Sequence, residues 1–239
     1  MTLPEPFIKI CSLREPHQAE FAVSAGADAV GLIFATARRR VTVERAQEIV
    51  RELRRLDRDG RVLVVGVFVD QPADEVNGIV DRVGLDLVQL HGSETPDFVM
   101  QIERPVIKIV RAELDEFDPT LGGYRALTAP PAAYLVDGAS SVAAGGTGEQ
   151  ADWGSARCLA RSTKVILAGG LTPENVGDAI RTVRPFGVDV SSGVETDGVK
   201  DRTKVLVFVE AARAAFARLD IGQGGVIPVA EAAEPVHRP

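Results

Sequence analysis

Residues 165–175 read VILAGGLTPEN: a short apolar run breaks on two glycines and restarts at Pro173 as a segment with helical signals. Val165–Ala168 has the β-branched, apolar character of a buried strand. Pro173 suits the first turn of a helix, where its missing N–H costs nothing. A strand that runs straight into a helix is followed by a strand parallel to it. Outward from this unit the alternation repeats along the whole chain. Apolar runs stand at Phe7–Cys11, Ala29–Phe34, Val62–Val69, Leu85–Leu90, Val106–Val110, Ala133–Val136 and Gly187–Val190, which with Val165–Ala168 make eight. Helical segments fall between them at Pro16–Ala25, at Thr42–Leu56 with its Thr-x-Glu start, at Pro72–Val83 and at Pro173–Val183. The fifth helix is expected within Ala112–Leu127, where Pro119, Gly122 and Gly123 predict a short or broken one.

The runs are nearly continuous rather than alternating, as in strands buried on both faces. An open doubly wound sheet would share that pattern. No G-x-G-x-x-G follows the first run, however, and eight units fill the chain almost to its end, so the expected fold is α/β: a single closed (β/α)8 barrel over residues 1–220. Beyond it, GQGGVIPVAEAAEPVHRP is rich in Gly, Ala, Pro and Glu without a period, and 221–239 are expected to be a disordered tail.

Composition narrows the class. The 239 residues are 45% hydrophobic and 26% charged, and no apolar run approaches membrane-spanning length. Met1–Pro6 has neither a basic nor an apolar leader region, so the expected location is the cytoplasm. Cys11 and Cys158 are too few for a disulfide framework and lack C-x-x-C spacing. A net charge of −7 argues against general nucleic-acid binding while leaving room for a local positive pocket, to which Arg38, Arg39 and Arg40 are candidates.

Barrels of this kind work at the C-terminal ends of their strands. Cys11 ends the first run, Arg39 follows the second, Gln89-Leu90-His91-Gly92 ends the fourth, Asp137 ends the sixth, and Asp189 lies in the eighth before Ser191-Ser192-Gly193. Taken singly, each has a structural reading. Cys11 suits a small buried apolar residue, Asp137 a cap or loop carboxylate, His91 a satisfied core histidine, Arg39 a solvated basic run, and Asp189 a loop brace. The glycines are more pointed. Gly169 and Gly170 before a helix, with Ser192 and Gly193 after the eighth run, offer backbone N–H groups to an anion where such barrels bind phosphate. Ala143–Gly148 follows the sixth run and suits a loop that covers a substrate.

These residues together resemble the phosphoribosylanthranilate isomerase family of tryptophan biosynthesis. Lys9-Ile10-Cys11 is similar to its opening motif and Gly26–Phe34 to its second strand. Val67-Phe68-Val69 and Val88–Gly92 resemble its third and fourth strands. Leu135-Val136-Asp137, with Gly145–Gly148 and Asp152-Trp153, resembles the sixth strand and its loop, and Ala168–Val176 with Val188–Glu195 resembles the phosphate-binding end. The resemblance runs from about Phe7 to Phe216. It implies an Amadori rearrangement of an aminoaldose phosphate to 1-(2-carboxyphenylamino)-1-deoxyribulose 5-phosphate. Asp137 would act as general acid and Cys11 as general base. Arg39 would meet the anthranilate carboxylate, His91 and Asp189 would contact substrate, and Gly169, Gly170, Ser192 and Gly193 would hold the phosphate. It implies no metal or organic cofactor, a small phosphorylated substrate as partner, no nucleic acid, no membrane, and a monomer or homodimer.

Two departures stand out. Ser12 occupies a position where the family usually has Gly, and Ala37-Arg38-Arg39-Arg40 replaces a more typical Ser-x-Arg-Tyr or Ser-Pro-Arg. The alternatives are the histidine-pathway aminoaldose isomerase or a dual-substrate version, against which Cys11 stands where that family uses an aspartate, and a non-catalytic barrel that binds a phosphorylated ligand.

Overall fold

A computed structural model describes residues 2–110, 119–137 and 153–223, with side chains described as far as Leu219. Its first half comprises β1 (Phe7–Ile10), α1 (Gln18–Ala25), β2 (Ala29–Ile33), α2 (Val43–Leu56), β3 (Leu63–Phe68), α3 (Ala73–Val83), β4 (Leu87–Leu90) and α4 (Pro96–Val99). Its second half comprises β5 (Val106–Val110), α5 (Pro119–Arg125), β6 (Ala133–Val136), α6 (Trp153–Ala160), β7 (Val165–Leu167), α7 (Val176–Val183) and β8 (Gly187–Val190). Strands β1 to β8 close into one parallel barrel, so the expected fold is the one observed. The expected runs overshoot the paired strands by no more than two residues at an end.

Local chemistry explains the element ends. Thr42 caps α2 by accepting from the Arg45 N–H at 3.2 Å, and Gly26 and Gly84 end α1 and α3 in the left-handed region. Of the expected 112–127 helix the described part is Pro119–Arg125; 111–118 lie outside the described residues, as does the expected covering loop at 143–148. Three elements were not anticipated: a 3-10 turn at Ser192–Val194 and the antiparallel pair β9 (Glu195–Thr196) and β10 (Val199–Lys200). The last helix, α8 (Arg202–Gln223), runs three residues past the boundary expected at 220.

Side chains separate into two buried layers by strand parity. Phe7, Ala29, Leu63, Val65, Leu87, Ile107, Ala133, Leu135 and Ile166 fill the barrel, while their neighbours Ile8, Val30, Val64, Val88, Val106 and Val136 pack against the helices. The sequence motif Gly-x-Asp just before β2 and before β4 carries the same bracing in both places. Asp28 accepts from the Ile8 N–H and pairs with Arg213 of α8, and Asp86 accepts from the Val64 N–H and pairs with Arg54 of α2. Each carboxylate thus ties a helix to the strand pair beneath it.

Lys108 breaks the apolar rule. It shares the outward parity of Val106 and Val110 yet is 2% exposed. Helix α4 is a single turn, and the space beside it is filled by a polar plug. Lys108 Nζ donates to the Gly92 carbonyl at 2.6 Å and to Glu94 Oε2 at 2.9 Å, and Tyr124 of α5 donates to the Glu94 carbonyl. Removing one member of such a pair strands a buried charge. Lys108→Met is expected to destabilise the fold by about 3–5 kcal/mol in urea titration, and Lys108→Met/Glu94→Gln to recover part of the loss; equal midpoints for wild type and Lys108→Met would contradict the assignment.

Candidate active site

Strand parity decides which polar residues face the barrel interior. Lys9 and Cys11 follow Phe7 on the inward face of β1 and its extension, Gln89 and His91 follow Leu87 on β4, Asp137 follows Leu135 on β6, and Asp189 follows Gly187 on β8. Cys11, His91 and Asp137, which lie just past their strands, therefore emerge at one C-terminal mouth. The Cys11 N–H donates to the Val190 carbonyl at 2.8 Å and extends the strand ladder by one step. The residue after it, Ser12, has φ 68°, the left-handed region a glycine enters freely. Its hydroxyl hydrogen-bonds that of Ser191 at 2.8 Å, an interaction glycine would lack.

Beneath Cys11 lies a cation. Lys9 is fully buried, and its Nζ donates to Asp189 Oδ1 at 3.0 Å, its register partner on β8. Burial opposes the Lys9 charge, but Asp189 and Cys11 beside it outweigh that and hold its pKa above the ordinary lysine value. Gly31 of β2 leaves the room: a Cβ there would lie 2.6 Å from Cys11 Sγ. Asp189 Oδ1 is thus engaged with Lys9, and its side chain is 9% exposed.

His91 stands between two groups. Its Nδ1 is 3.0 Å from Gln89 Nε2, and its Nε2 is 3.7 Å from Asp137 Oδ2. With the amide N–H as donor, Nδ1 accepts and the ring proton sits on Nε2, facing Asp137. Burial, then the charges of Lys9 and Lys108, push the His91 pKa down to about 4, so the ring is neutral at physiological pH.

Among the three consecutive arginines, Arg38 and Arg40 are exposed and Arg39 turns inward. Its fork is occupied: Nε and Nη2 donate to the two oxygens of Glu195 at 2.9 and 2.8 Å. Lys200 of β10 adds a donor to Glu195 Oε1 at 3.0 Å and another to the Ser191 carbonyl at 2.8 Å. Burial works against the Glu195 charge, but Arg39 and Lys200 overcome it and lower its pKa; burial lowers that of Lys200, with Glu195 and Cys11 opposing. The unforeseen β9–β10 hairpin therefore supplies Glu195, the partner of Arg39, and Lys200, the second cation on that carboxylate. No sequence pattern announced them; Lys9 and Gln89 were legible in principle, two residues before Cys11 and His91.

The glycine-rich ends of β7 and β8 pack on each other. Gly169 and Gly170 have φ 82° and 64°, backbone that other residues rarely adopt. Asn175 braces the turn by donating to the Gly170 carbonyl at 2.9 Å and accepting from the Thr172 N–H at 2.8 Å. A Cβ on Gly193 would collide with the Leu171 carbonyl, so Ser192 and Gly193 reach the neighbouring loop only because no side chain intervenes. Cys158 is exposed on α6, apart from this mouth.

Comparison with known proteins agrees in kind. A family model described as N-(5'phosphoribosyl)anthranilate (PRA) isomerase matches residues 8–211. A Roseiflexus castenholzii protein named N-(5'-phosphoribosyl)anthranilate isomerase is 45% identical over 87% of this chain and 98% of its own. The crystal structure of phosphoribosyl anthranilate isomerase from Thermotoga maritima is 34% identical, with a TM-score of 0.73 over 90% of this chain and all of that one. A crystal structure of such an isomerase in complex with reduced 1-(o-carboxyphenylamino)-1-deoxyribulose 5-phosphate is 34% identical, with a TM-score of 0.70 over the same shares.

The neutral state of His91 has a direct readout. Its ring resonance is expected to titrate near pH 4 by NMR rather than near the ordinary histidine value. Because the folded pKa lies below the unfolded one, the stability from neutral His91 is complete above about pH 6.5 and is lost as pH falls from there toward about 4. A midpoint near 6.5 would contradict the burial argument.

Proposed function

Since this chain belongs to the N-(5'-phosphoribosyl)anthranilate isomerase family and is an isomerase of tryptophan biosynthesis, we propose that Cys11 is its general base and Asp137 its general acid. The observation that carries the assignment is that strand parity aims both residues into one barrel mouth, beside the glycine-rich loops of β7 and β8. Asp137 protonates the furanose ring oxygen, and the C1–O bond opens to an iminium ion. Cys11, as thiolate, takes the proton from C2 of the sugar. The resulting enolamine tautomerises to the ketone.

The surroundings support this division of labour. A thiolate is favoured by the cation beside it, and the chain places the buried ammonium of Lys9 there. His91 is neutral beside Asp137, so it brings no positive charge that would disfavour the protonated acid. Its Nε2–H faces Asp137 and receives the carboxylate once the proton has left.

The remaining substrate contacts are assigned by position. Gly169, Gly170, Ser192 and Gly193 cradle the 5'-phosphate with backbone N–H groups: the two β7 glycines take a left-handed turn, and the missing side chain of Gly193 lets the β8 loop meet it at the end where such barrels bind phosphate. Arg39 receives the anthranilate carboxylate with the donors that Glu195 does not use, and Glu195 holds the guanidinium plane in place. His91 and the second oxygen of Asp189 meet sugar hydroxyls. The barrel is read as one catalytic domain acting on a small phosphorylated molecule in the cytoplasm, without nucleic acid, as a monomer or homodimer. Among the described residues no helix is long and apolar enough to cross a membrane.

Purified protein is expected to consume phosphoribosylanthranilate, followed as loss of its fluorescence. Cys11→Ala and Asp137→Asn are each expected to lose at least about a hundredfold in kcat. Arg39→Ala is expected to raise KM more than it lowers kcat. Near-wild-type turnover in either of the first two variants would remove the role given to that residue.

A further inference from the structure

Lys9 is expensive to bury and unnecessary for packing. At 0% exposure its ammonium has no access to water, and an aliphatic side chain of similar length would fill the same space without a desolvation cost. Its surroundings account for the charge. Lys9 and Cys11 stand two residues apart on the inward face of β1, and Gly31 on the adjacent strand accommodates both: a Cβ there would lie 2.6 Å from Cys11 Sγ and 3.2 Å from Lys9 Cε. Asp189 meets Lys9 Nζ at 3.0 Å from β8. An isolated buried ammonium would shed its proton; a carboxylate at this distance keeps it.

We propose that Lys9 is the positioning residue that stabilises the Cys11 thiolate, and that Asp189 serves it by holding Lys9 in its charged form. This rests on the reading of Cys11 as the base. Among the described residues, the other charged groups at this end of the barrel include Lys200, whose ammonium is compensated by Glu195; Arg39, bound to the same Glu195; Lys108 with Glu94; and Asp137 with the neutral His91 on the strands opposite. Lys200 also feels Cys11, but it reaches in from β10 with its Nζ donating to Glu195 and the Ser191 carbonyl, whereas Lys9 shares the inward face of β1 with Cys11 and lies against the same Gly31. The sign is fixed by Coulomb's law: a buried cation beside sulfur favours the thiolate over the thiol.

The test reads the thiol directly. In a Cys158→Ser background, where Cys11 is the sole cysteine, the rate of alkylation by iodoacetamide is measured against pH for the parent, Lys9→Met and Lys9→Met/Asp189→Asn, with circular dichroism and thermal melting to confirm the native fold. The alkylation midpoint is expected to rise by about one pH unit or more in both variants, which is about tenfold less thiolate below the midpoint. In Lys9→Met, kcat is expected to fall about tenfold or more, with KM for phosphoribosylanthranilate little changed. If Lys9→Met does not fold, the double variant decides, because it removes the buried charge together with its counter-ion. An unshifted midpoint in a folded variant overturns the proposal even where Cys11→Ala is inactive. Retained activity in Cys11→Ala overturns the reading of the base, and does so without moving any alkylation midpoint.

Discussion

Closure of the sheet between β1 and β8 is the constraint on which the site depends. In that seam Lys9 pairs in register with Asp189, flanked by Ile8 opposite Val188 and Ile10 opposite Val190. A slip of one residue would turn every side chain to the other face, sending the ion pair into the helix layer and Ile8 and Val188 into the barrel. The apolar neighbours therefore hold the register that brings the charged pair together. The same parity, continued past the strand ends, aims Cys11, His91 and Asp137 at a common mouth.

Charge at this end of the barrel is arranged in compensated units. Lys9 with Asp189, Lys108 with Glu94, and Lys200 and Arg39 with Glu195 each bury a cation against a carboxylate, and the last two units also draw on backbone carbonyls. Such pairs contribute little net stability over apolar packing of the same volume, because desolvation offsets most of the attraction. What they provide is fixed charge without water. The effect reaches the neighbours: His91 is kept neutral partly by Lys9 and Lys108. Glycines set how closely these groups approach, Gly31 by admitting Cys11 and Lys9 to one space and Gly193 by letting the loops of β7 and β8 meet.

Much of this was legible before the structure. Eight buried parallel strands announce themselves as near-continuous apolar runs, since burial on both faces leaves no polar alternation, and helix starts such as Thr42 carry their own capping chemistry. Site residues at strand ends were legible because a polar group that closes an apolar run needs a purpose. Lys108 and Arg39 show where that reading ends. Lys108 sits at an outward strand position where periodicity calls for an apolar residue, and only the short α4 beside it explains the exception. Arg39 was one of three consecutive arginines, and Glu195, 156 residues away, selects it.

By itself, then, the sequence determined the order of elements, the layer each strand residue enters and the residue types able to do acid–base chemistry, because these follow from local propensity and a period of two. Only the tertiary structure decided the distant partners: Asp189 for Lys9 and Glu195 for Arg39. Partnership depends on which strand ends and loops meet when the barrel closes, and pairs 156 or 180 residues apart leave no trace in local pattern.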